Sequence, residues 1–118
     1  MYRTDLLDNY LILKKAKAEE LRKTVQRQVV EALNKLSKSI SFKKAYLFGS
    51  ILSSCFREDS DVDIAFEGLR DQDFFKAIAF LSNHLERDVD IIQLEVHRFR
   101  EKLIKQGLLV YNSEDYKK

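Results

Sequence analysis

Ala45-Tyr46-Leu47-Phe48-Gly49-Ser50, followed ten positions later by Ser60-Asp61-Val62-Asp63-Ile64-Ala65-Phe66, is the most informative stretch of this 118-residue chain. The first segment is a short apolar run ended by glycine, which suits a buried strand. The second alternates polar and apolar with period two, which predicts another strand. Asp61 and Asp63 then project from one face, while Val62 and Ile64 turn the other way into a core. Two carboxylates so close repel one another unless a cation lies between them, and clustered oxygen donors suit Mg²⁺ or Mn²⁺. The Gly49-Ser50 turn supplies the complementary need. Glycine lets a phosphate approach the backbone, a helix start favours an anion, and the Ser50 hydroxyl adds a donor. Ser50 is placed to cap a short helix over residues 51–56.

A third carboxylate completes such a site. Val89-Asp90-Ile91-Ile92-Gln93-Leu94 is a third β-rich run, and Asp88 and Asp90 share a face of it. Asp90 lies within the strand between apolar neighbours and is the favoured ligand; Asp88 is the exposed alternative.

Working outward, residues 5–37 contain no helix breaker. Leu11, Ala18, Leu21, Val25, Val29, Ala32 and Leu36 recur near a 3.6-residue period, predicting one long amphipathic helix or two with a bend near 14–17. Its apolar stripe should pack on the sheet, leaving a basic face of Lys15, Arg22, Lys23 and Arg27. Residues 71–86 read as a helix with Phe74, Phe75, Ile78, Leu81 and Leu85 apolar. Residues 97–106 read as another, which Gly107 stops, and 108–111 form a last strand. The alternation of helix and strand predicts an α/β (α+β) domain, a small mixed sheet covered by helices. With no proline, three glycines and no repeat or linker, residues 1–118 read as one domain: an N-terminal helical arm, 1–40, and a core, 41–112.

Net charge is only +2, but residues 1–44 carry +6 and residues 45–118 carry −4, a basic arm before an acidic body. The plain reading is a solvated helix face; the sharper one is a surface for an acidic partner or RNA. Cys55, the one cysteine, excludes an internal disulfide framework and a cysteine zinc cluster. The start, Met1-Tyr2-Arg3-Thr4-Asp5, has no signal-peptide pattern, and no apolar run is long enough to span a bilayer. A reducing cytoplasmic setting, without a membrane, is the expectation. His84 and His97 lie on predicted helices and read as structural.

Taken in order, these elements resemble the minimal nucleotidyltransferases of the DNA polymerase beta superfamily. That signature is an apolar residue with Gly-Ser, about ten residues, Ser-Asp-x-Asp, and a later lone Asp on a strand. Gly49 and Ser50 match the first part, Ser60, Asp61 and Asp63 the second, and the Arg87-Asp88-Val89-Asp90-Ile91-Ile92 segment the third. The resemblance implies a polymerase-beta-like fold. It also implies a nucleoside triphosphate, most simply ATP, held with two Mg²⁺ ions by Asp61, Asp63 and Asp90. By the same resemblance Gly49, Ser50 and Ser60 are expected to bind the nucleotide, and an acceptor hydroxyl to attack the α-phosphate so that pyrophosphate leaves. Small chains of this kind resemble the antitoxin half of a pair whose other half is a helical HEPN-domain toxin, which members adenylylate; homo- or hetero-oligomers are then expected. Alternatives are a noncatalytic antitoxin and a transferase acting on RNA or a small molecule. One departure from the pattern stands out. Ile51-Leu52-Ser53-Ser54 replaces the usual basic stretch after Gly-Ser, leaving Arg57 or Lys44 to compensate.

Overall fold

The computed structural model describes residues 2–113, with side chains from residue 6 onward. A single helix, α1 (Tyr2–Leu36), leads into β1 (Lys44–Phe48). A 3₁₀ turn over Gly49–Leu52 and an irregular loop lead to β2 (Val62–Glu67). Helix α2 (Phe74–Leu85), β3 (Val89–Gln93), α3 (Arg100–Gln106) and β4 (Leu108–Asn112) follow. The sheet order is β3-β2-β1-β4. β1 is antiparallel to both β2 and β4, and β2 is parallel to β3 across α2. The expected mixed sheet with helical cover and a long N-terminal helix is therefore what forms.

Alternation along the strands gives the sheet two different faces. Ala45, Leu47, Val62, Ile64 and Phe66 point to α1 and α2 and join Val29, Leu33, Leu36, Ala77 and Leu81 in the main core. The other face carries Tyr46, Phe48 and Ala65, covered by Leu94 and by Leu103 and Ile104. Continuous apolar strands are the pattern expected when both faces are covered.

Several sequence expectations change. The α1 stripe packs as expected from Leu21 through Val25 and Val29 to Leu36, but Leu11 is 43% exposed and the helix continues past the core. Phe75 does not join the α2 core stripe; it is 79% exposed, because Ala77, Leu81 and Leu85 set the buried line. Ser50 does not cap a helix over 51–56. Extended Phe48 precedes the turn and makes no side-chain cap, and Ser50 sits inside a four-residue 3₁₀ turn. Gly107 does end α3, yet at an ordinary φ of −79°. Its reason is space: a Cβ there would lie 2.6 Å from the Phe48 ring.

Candidate functional site

The strand register brings the carboxylates together. Phe48 of β1 is opposite Asp63 of β2, and Asp63 is beside Asp90 of β3. Asp63 and Asp90 thus stand side by side at the sheet end where β1 finishes. Val62 and Ile64 are fully buried on the opposite face, as the period-two pattern requires. Asp61 lies just before β2, exposed at its mouth. Asp88 also lies outside its strand, and its carbonyl accepts the Val62 N–H at 3.0 Å. The structure therefore pairs Asp90, not Asp88, with Asp63.

Gly49 closes the third side. Its φ is +77°, a left-handed conformation that costs glycine little. A Cβ at this position would run into Asp63 Oδ2, so only glycine lets the turn lie against that carboxylate. The Ser50 carbonyl accepts Ser53 N–H at 2.9 Å, which fixes the turn. Among the described residues the Ser50 hydroxyl makes no hydrogen bond. Ser60 Oγ accepts the Arg57 N–H at 2.9 Å and shapes the loop just before Asp61.

Electrostatics mark Asp63 out. Its carboxyl is pushed above the ordinary carboxylate range, first by burial, then by repulsion from Asp90, a hydrogen bond between the two side chains, and repulsion from Asp61. Among the described residues, no three His, Cys, Asp or Glu side chains converge as a ready metal cluster. The close pair is Asp63 and Asp90, with Asp61 acting on it from the rim.

Two supports were invisible to local pattern. Gln26 of α1 donates from Nε2 to the Ile51 carbonyl at 3.1 Å, fastening the helix to the Gly49–Leu52 turn. Arg87 donates to the carbonyls of Ser60, at 2.8 Å, and Arg57, at 3.3 Å, and lies over the Phe56 ring at 4.9 Å. It ties the loop before Asp61 to the strand that carries Asp90. Lys44, by contrast, begins β1 at the end of the sheet away from the carboxylates, so it does not stand in for the missing basic residues. Arg57 is exposed in the loop. Arg22 does not belong to the free basic face: it is half-buried and paired with Glu19. No described helix is long and apolar enough to cross a membrane.

Known structures share this fold. A toxin–antitoxin complex with AMP-PNP matches at TM-score 0.61 and 22% identity, covering 73% of this chain and 75% of that one. A tri-AMPylated Shewanella oneidensis HEPN toxin in complex with MNT antitoxin gives 0.55 and 20%, covering 80% and 75%. A candidate nucleotidyltransferase from Sulfolobus solfataricus gives 0.55 and 20%, covering 82% and 88%. At these identities the likeness is one of fold. No sequence among curated proteins matches the chain. The family model described as "Polymerase beta, Nucleotidyltransferase" matches residues 28–116, which span both the Gly-Ser turn and all three carboxylates. The chain belongs to the polymerase-beta nucleotidyltransferase family.

Proposed function

We propose that this chain transfers AMP from ATP to a hydroxyl on a HEPN-type protein and acts as the antitoxin of that pair. The observation that carries the reading is the meeting of the Gly49-Ser50 turn with the adjacent Asp63 and Asp90 carboxylates at one end of the sheet. The donor set fits Mg²⁺: hard oxygen ligands, crowded and partly desolvated, whose repulsion a cation relieves. Asp61, Asp63 and Asp90 are the residues to hold it, Asp61 by turning inward from the rim. When bound, Mg²⁺ offsets phosphate charge and lowers the pKa of the acceptor hydroxyl. Gly49 opens the backbone to the triphosphate, and the unengaged Ser50 hydroxyl donates to it. Ser60 and Arg87 hold the loop that carries Asp61 at the rim of the pair. The acceptor oxygen bonds to the α-phosphorus as the α–β phosphoanhydride bond breaks, pyrophosphate leaves and the hydroxyl proton passes to water, so no side chain is needed as a nucleophile. The AMP-PNP in one fold neighbour and the AMPylated toxin in another support ATP as donor and a protein as acceptor.

A binding-only antitoxin is the second reading. One observation favours it: Ile51 is fully buried and Leu52 packs on the core, so the residues after Gly-Ser serve packing where relatives of this pattern place phosphate-contacting cations. One experiment separates the two readings. The chain is incubated with ATP, Mg²⁺ and a HEPN-type protein from the same genome. A mass gain of one or more AMP on that protein, absent with Asp61→Asn/Asp63→Asn, supports transfer. If the double variant still protects cells from the toxin, binding alone is the function.

A further inference from the structure

We infer that the first turns of α1 form a docking arm for the acceptor protein, seating in an apolar groove with an acidic rim; the inference rests on the transferase reading for the partner's role. Leu6, Leu7, Tyr10, Leu11, Ile12 and Leu13 are each 43–70% exposed. At 100° per residue all but Ile12 fall on one helix face about 160° wide, with Ile12 on the opposite side. Single exposed apolar residues are ordinary, but a contiguous stripe is the mark of an interaction surface. A helical face this broad suits insertion into a groove between other helices.

Topology puts the arm beside the site. α1 and β1 are joined by the short segment 37–43, so the helix runs back along the sheet toward the carboxylate end. Gln26 is level with the Gly49–Leu52 turn, and farther out Leu11 and Lys14 border the same cleft as Ser54, in the loop before Asp61. Residues 6–17 therefore project roughly 18 Å beyond the packed part of the helix, on the side where an acceptor must enter. They supply roughly 18 Å of a molecule that is 60 Å long and 30 Å wide.

Charge selects the occupant. Lys14, Lys15 and Lys17 follow the apolar stripe, all exposed, and none takes part in an ion pair among the described residues. Pairing of two arms would bring the same cations against a segment whose only described carboxylate before Glu19 is Asp8, and seating of the arm on the acidic body of a second copy is the outcome that light scattering would reveal. A partner with carboxylates around its groove satisfies both the apolar stripe and the cations. RNA would meet the lysines but leave the leucines in water.

The test uses the full chain and a purified HEPN-type protein from the same genome, with affinity read by calorimetry. Leu6→Ser/Tyr10→Ser/Leu13→Ser should lose on the order of 100-fold in affinity. Lys14→Glu/Lys15→Glu/Lys17→Glu should lose roughly tenfold at low salt and less at high salt. Both variants should keep the wild-type melting temperature and wild-type binding of ATP with Mg²⁺. Unchanged partner affinity in both variants overturns the inference, as does failure of the wild type to bind this protein. A wild-type dimer in light scattering that the Ser variant dissolves also overturns it, by making a second copy the occupant. If the variants bind normally and the wild type transfers AMP, the docking arm is wrong and the transferase reading stands. If affinity depends on the arm but the wild type transfers nothing, the arm stands and the transferase reading fails.

Discussion

At the scale of single residues, the candidate site combines a backbone that only glycine tolerates with carboxylates that repel. These two features predict opposite effects on stability. Gly49→Ala forces a methyl group at φ +77° into Asp63, which should cost about 1–3 kcal/mol and lower the melting temperature by several degrees. Asp63→Asn removes a half-buried charge that faces Asp90 and Asp61, so the metal-free protein should melt at the wild-type temperature or above it. Both substitutions should abolish calorimetric binding of ATP with Mg²⁺. A large loss of stability in Asp63→Asn would show that the carboxylate serves the fold instead. Asp90 and Asp88 allow a finer discrimination. Asp90 is in register with Asp63, whereas Asp88 contributes a carbonyl to Val62 that any side chain leaves in place. Asp90→Asn should therefore abolish AMP transfer in a mass assay while much of the triphosphate binding remains, and Asp88→Asn should leave transfer within a few-fold of wild type. The reverse order would move the third ligand off the strand.

At the scale of elements, the site is assembled by contacts between segments far apart in sequence. Arg87 shows the effect most clearly: one guanidinium at the start of β3 holds two carbonyls and a ring of the loop before Asp61. Arg87→Ala should cost about 1–2 kcal/mol, since two net hydrogen bonds and a partly exposed cation–π contact are lost. Hydrogen exchange should quicken at residues 57–61 before it does in β2, and Arg87→Lys should recover only part, because an ammonium can donate to both carbonyls but lacks the planar guanidinium that lies over the Phe56 ring. Equal exchange throughout would show that the loop holds itself. The same distinction explains what was legible in the sequence. β2 follows from period-two alternation, and β1 and β3 from short apolar or β-rich runs, which each segment carries by itself; that Asp63 and Asp90 stand side by side does not, because the register between two strands sets it. The roles of Gln26 and Arg87 do not, because their partners lie 25 and 27 residues away and leave no periodic trace. Phe75 is apolar by type yet exposed, because packing against the sheet selects Ala77, Leu81 and Leu85 as the buried line of α2 and the sequence of the helix alone does not. Ser50 was misplaced because the turn tightens to a 3₁₀ form before a cap can close.

At the scale of the molecule, the chain divides into a packed body and an arm that the body does not need. Burial along α1 begins only near Ala18 and is complete at Val25, Val29, Ala32, Leu33 and Leu36. Nothing apolar before residue 18 is buried among the described side chains. An isolated helix shorter than about 12–15 residues is marginal in water, so the arm is helical because it propagates from the docked half, where nucleation is already complete. The energetic dependence thus runs one way: the body supports the arm, and the arm adds little to the body. Deleting residues 1–17 should therefore leave the calorimetric melting temperature within roughly 2 °C of wild type, since no core side chain is lost. Far-UV ellipticity should fall by the share of helix removed, and binding of ATP with Mg²⁺ should persist, because Gln26 and its hold on the Ile51 carbonyl remain. Deleting residues 1–28 is the contrasting case. It removes Val25 from the core and Gln26 from the turn, so both the melting temperature and nucleotide binding should fall together. A drop of more than roughly 5 °C on the shorter deletion would mean that the arm packs against the body in solution, and burial along α1 would have to begin before Ala18.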